Sequence, residues 1–78
     1  MDAAARRIAE AVCEAGDLIA AIEGGAECER RRGELVADLR RLAARTWDED
    51  AAAAACGAAA ELQRTLRARP AQRSTRAA

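Results

Sequence analysis

In the first third of the chain the apolar residues recur at alternating spacings of four and three: Ala5, Ile8, Val12, Ala15, Ile19 and Ile22. That is the seven-residue repeat of a helix with one apolar seam. Arg6, Arg7, Glu10, Cys13, Glu14 and Asp17 fall on the other side, and Leu18 flanks the seam. Asp2 is placed to cap the first turn. Gly24-Gly25 is placed to end the last one, because glycine enters the left-handed backbone region at little cost. The pattern predicts a helix over residues 2–23.

A second stripe runs through Cys28, Leu35, Leu39 and Leu42, flanked by Val36 and Ala43, and predicts a helix over 27–45. Its start carries no Ser, Thr, Asp or Asn to cap it. Arg32 falls on the stripe, and Gly33 costs about 1 kcal/mol relative to Ala in a helix interior. Fraying up to Gly33 is therefore expected, with Glu27 and Arg31 pairing on the exposed face. Thr46-Trp47-Asp48-Glu49 then reads as a capping box, in which the Thr46 hydroxyl accepts the Glu49 amide proton and the Glu49 carboxylate reaches back. Asp48, Glu49 and Asp50 suit the positive end of a helix dipole. A third helix is expected over 47–68, stopped by Pro70, with an alanine-rich first half and Leu62 and Leu66 on its later turns. One bent helix over 34–68 is the alternative.

The fold class is all-α: a three-helix up-down-up bundle, or a helical hairpin with a long second arm. One domain is expected over 1–69. Residues 70–78 form a basic tail with nothing to bury, expected to be disordered. The expected core is Ile8, Val12, Ile19, Ile22, Leu35, Leu39, Leu42, Leu62 and Leu66. Trp47, at the junction of helices two and three, is expected to close the bundle there or to anchor a partner.

Composition thins this picture. Of 78 residues 51% are hydrophobic, but 24 are Ala, and Leu, Ile, Val, Met and Trp together number 13. So small a set of large side chains leaves little margin against chain entropy, which small scaffolds usually cover with disulfides, metals or partners. A protein partner or a homo-oligomer is the expectation here. All 13 basic residues are Arg against 13 acids, giving zero net charge. An all-Arg, Ala-heavy composition is what a GC-rich bacterial genome would produce. Residues 1–60 hold 8 Arg and 12 acids, net −4, and residues 61–78 hold 5 Arg and one acid, net +4. No run approaches the ~18 apolar residues of a membrane span, and the charged-then-apolar order of a signal peptide is lacking. The expected setting is the cytoplasm, without membrane contact. Cys13, Cys28 and Cys56 suit a reducing compartment. In an up-down-up bundle, however, Cys13 lies level with position 58 and could pair with Cys56.

Candidate chemistry is sparse. His, Tyr and Lys are absent, so a Ser or Cys nucleophile has only a carboxylate as base, and Ser74 lies in the tail. No enzyme activity, cofactor or small-molecule substrate is expected. The cysteine gaps of 15 and 28 residues match no metal-ligand spacing, and Asp48-Glu49-Asp50 is explained by capping. Arg30-Arg31-Arg32 is a candidate phosphate-binding surface, but it is interleaved with Glu27, Glu29 and Glu34 and lacks aromatic, Asn or Gln companions. Nucleic-acid binding is therefore the minor alternative. The leading expectation is a non-enzymatic adaptor, inhibitor or chaperone. It would bury its stripes against a partner helix or a second copy, through Ile8, Val12, Ile19, Ile22, Leu35, Leu39, Leu42, Trp47, Leu62 and Leu66.

Residues 10–46, with the turn Glu23-Gly24-Gly25-Ala26 before an Arg- and Leu-rich helix, resemble the small two-helix co-chaperones that hold type III secretion needle subunits. That resemblance implies that the stripes Ile8 to Ile22 and Leu35 to Leu42 grip a partner helix. A Trp in a turn between helices is also similar to the secreted helical hairpins with a Trp-x-Gly turn. Glu49 stands where that glycine belongs and the Tyr-containing tail is missing, which sets this second family aside.

Overall fold

Each helix boundary follows from where its end groups find hydrogen bonds. In the computed structural model, which describes residues 2–66, the elements are α1 (Ala3–Glu23), α2 (Glu29–Arg45) and α3 (Glu49–Arg64), with no strand among the described residues. The expected domain end at 69 and the tail over 70–78 lie outside these residues. Asp2 caps α1 as expected, its Oδ1 accepting the Ala5 N–H at 2.6 Å. At the other end Gly25 donates to the Ile22 carbonyl at 2.9 Å and Ala26 to the Ala21 carbonyl at 3.0 Å. This pair of bonds is a Schellman closure, and it requires the φ of +102° that Gly25 adopts.

The second helix departs from its expectation at the start. It begins at Glu29, with no side-chain cap at Cys28, and runs unbroken through Gly33. The reason is Arg32, which does not disrupt the stripe but crosses to α3. Its Nη1 donates to the Thr65 carbonyl at 2.6 Å and the Leu62 carbonyl at 3.4 Å, while Nη2 bonds Glu29. Arg31 turns to α1, its Nε donating to Glu14 at 2.6 Å, and also pairs with Glu34 at 3.3 Å, rather than serving only as the expected partner of Glu27 on the exposed face. Contacts 17 to 33 residues apart thus hold the first turn.

The third helix corrects two expectations. Its cap is Asp48, which accepts the Ala51 N–H at 3.1 Å, not Thr46 in a box with Glu49. The Thr46 hydroxyl instead donates to Asp2 and accepts the Asp48 N–H at 3.1 Å. The helix ends at Arg64, four residues short of 68. Thr65 is extended, its backbone N–H and hydroxyl both donate to the Glu61 carbonyl, and Arg32 takes the Leu62 carbonyl that a further turn would use. Leu66 consequently lies past the helix and is 82% exposed rather than in the core. Extended backbone at Thr46 and Asp48 separates α2 from α3, which rules out the single bent helix.

The start of α1 meets the end of α2 at Asp2–Thr46, and the start of α2 meets the end of α3 at Arg32–Thr65, so the chain runs up, down and up. Each helix packs against the other two. The core joins Ile8, Ala15 and Ile22 to Leu35, Val36 and Leu39 and to Ala55, Ala59 and Leu62. The alanines of α3 keep its core side short. Gly33, helical and exposed, has nothing within 4 Å of where a Cβ would lie. Gly33→Ala is therefore expected to stabilise the bundle by about 1 kcal/mol, read as a higher thermal midpoint. At Gly25 the same change is expected to destabilise, because its backbone is left-handed.

Candidate interaction surface at the α2–α3 corner

One short polar network ties the beginning of α1 to the α2–α3 corner. The Asp2 carboxylate accepts the Ala5 N–H, the Thr46 hydroxyl at 3.0 Å and the Trp47 backbone N–H at 2.9 Å. Thr46 passes the chain of bonds on to Asp48, which caps α3. Donation from the Trp47 and Ala5 amides, in that order, holds the Asp2 carboxyl below its ordinary value of 3.8. A carboxyl depressed in the folded state contributes stability that is present above its unfolded value and lost as pH falls through the folded one. Asp2→Ala is therefore expected to lower the thermal midpoint at neutral pH and to narrow its distance from the parent protein below about pH 4, measured by circular dichroism.

That network fixes the backbone of Trp47 and leaves the indole outside. Trp47 is 93% exposed, so the expectation that it closes the core is corrected: its amide is bound to Asp2, and the side chain stands clear of the bundle. At the same end of the bundle, between the start of α1 and the end of α2, lies an open groove of about 470 Å³ lined by Ala3, Ala4, Leu42, Arg7, Arg41, Arg45 and Asp38. Arg41 pairs with Asp38, and Arg7 makes a loose pair with Glu10 at 3.8 Å. Arg45 makes no ion pair among the described residues. The groove thus joins apolar surface to three guanidinium groups.

The other expected contact residues are placed differently. Ile8, Ile22, Leu35, Leu39 and Leu62 are buried within the chain's own core, and Val12, Ile19 and Leu42 are half-buried against it. The hollow that a hairpin of α1 and α2 would offer a partner is filled by Ala55, Ala59 and Leu62 of α3. Leu66 is exposed, but at the far end of α3 from Trp47, about 24 Å away along a 16-residue helix. Of the arginine run, Arg31 and Arg32 are committed to Glu14, Glu34, Glu29 and the α3 carbonyls, which leaves Arg30 on the surface. Cys13 and Cys56 are free and exposed, and Cys28 is free and half-buried, so the three thiols are unpaired as a reducing compartment suits, and the alternative of a Cys13–Cys56 bond is not formed. Both lie on outward faces beside the core positions.

No protein-family model, curated protein or solved structure matches this chain. No helix among the described residues is long and apolar enough to cross a membrane. Among the same residues no three Cys, Asp or Glu side chains come together as metal ligands would. What sequence reasoning missed is the groove. Arg41 and Arg45, one helical turn apart on either side of Leu42, were its local signal. Arg7 joins them only when α1 packs on α2.

Proposed function

We propose that this protein is a non-enzymatic helical interaction module of the cytoplasm, where three free thiols stay reduced. It engages a protein partner through the Trp47 corner and the neighbouring arginine groove, not through its buried stripes. One observation carries this reading: the chain's sole aromatic residue is 93% exposed on a backbone pinned by a hydrogen bond to Asp2. The backbone that carries the indole is already fixed, so binding has only the two side-chain torsions left to order, and Trp and Arg are the side chains that most often anchor interfaces. The groove arginines favour an acidic partner surface over a basic one.

A direct test is to titrate the chain with a synthetic amphipathic helical peptide bearing Glu on one face and Leu on the other, following the emission of Trp47. The expected result is a shift of the emission to the blue that weakens with added salt, and none with the matching Arg peptide. No shift with either peptide would count against the reading.

A further inference from the structure

We infer that the groove's occupant is Trp47 of a second copy of this chain, inserted reciprocally so that each copy fills the other's groove. This rests on the reading of the corner as an interaction surface and names its partner. Charge supplies the first argument. Any Trp47 that enters the groove brings Asp48, Glu49 and Asp50 with it, all exposed, towards Arg7, Arg41 and Arg45. Three acids follow the indole, and the groove carries three arginines against the single acid Asp38, which holds Arg41.

Position supplies the second. Within one chain the Trp47 amide is tied to Asp2, next to the groove residue Ala3, and Arg45 lies two residues before Trp47. Trp47 is not among the residues that line the groove of its own chain. Donor and acceptor surfaces therefore share one end of the bundle, and a two-fold axis through that end satisfies both contacts at once, as an isologous dimer requires. A groove of about 470 Å³ is within the size range that takes a compact organic group. Its guanidinium groups suit the face of an indole as well as the carboxylates beside it. With zero formal net charge, two copies meet no overall repulsion.

Two indoles bury on the order of 300–500 Å² between them, below the area of a standard stable interface, so the pairing is weak and reversible. A dissociation constant on the order of 0.1 mM is expected. Sedimentation equilibrium of the full chain up to about 1 mM, with Trp47 emission recorded in parallel, tests it. The expected result is a mass rising towards twice that of one chain, with emission moving to the blue, both reversed by salt. Trp47→Ala is expected to weaken the association about thirtyfold or more while leaving the helical spectrum unchanged. R41E/R45E and E49R/D50R are each expected to fail alone and to associate when mixed; Asp48 is kept because it caps α3.

A chain that stays a single copy at about 1 mM overturns the inference, as does a Trp47→Ala variant that associates like the parent or a mixture no better than either variant. If the acidic peptide shifts Trp47 while the chain stays a single copy, self-pairing falls and the interaction surface stands. If neither the peptide nor concentration shifts it, both fall.

Discussion

Leu39→Ala is expected to remove about 2–5 kcal/mol, a large share of the roughly 4–12 kcal/mol that a chain of this length holds. Leu39 is fully buried where α2 meets the other two helices. Truncation deletes buried methyl groups and leaves a cavity in a core that has few large side chains to collapse into it. The thermal midpoint should fall by about 10–30 °C, followed by far-ultraviolet circular dichroism. Leu66→Ala is the matched control. Leu66 continues the same sequence pattern yet is exposed, so its truncation should change stability by no more than about 0.5 kcal/mol. Equal losses at the two positions would mean that α3 continues past Arg64 and carries Leu66 into the core.

Ala59→Leu is expected to be costly in the opposite sense. Ala55 and Ala59 are fully buried, and they bring the short side of α3 against α1 and α2. Three additional carbon atoms at position 59 would push the helices apart or force side chains off their rotamers, at about 1–3 kcal/mol or more. Ala54→Leu, on the exposed side of the same helix, should leave the midpoint within the range of an ordinary surface change. The pair separates the two roles of alanine in this chain: a spacer that sets helix distance, and a filler with high helix propensity. A stabilising effect at 59 would mean that the core is under-packed and that a partner completes it.

How far these properties could be read from the sequence depends on where the deciding bonds lie. The first helix was legible from end to end, because its seam, its Asp2 cap and its Gly24-Gly25 stop are all local. Gly33 and Arg32 together suggested a frayed start to α2. The structure reverses this because Arg32 bonds carbonyls about 30 residues away, which no local propensity records. The cap of α3 was misplaced by two residues for a similar reason. Thr46 and Asp48 are both good capping residues, and Asp2, 44 positions earlier, engages the Thr46 hydroxyl. That bond and the neighbouring one to the Trp47 amide also turned a residue expected to close the bundle into one displayed outside it.

The candidate interaction surface was the least legible part. An apolar stripe in a thin-cored protein reads the same whether it meets its own chain or another, and here five of its large residues are used within the chain. The arginine groove exists only once α1 lies on α2, so neither helix alone announces it.

The central claim is that one copy of the chain completes its own core and leaves the Trp47 corner for contacts. Circular dichroism melts at about 1 µM and about 10 µM, both well under the concentration at which copies pair, test it most directly. Full three-helix content and the same midpoint at both concentrations are expected. Loss of helix on dilution, with a midpoint that rises with concentration, would contradict the claim by showing that the stripes need a partner to fold.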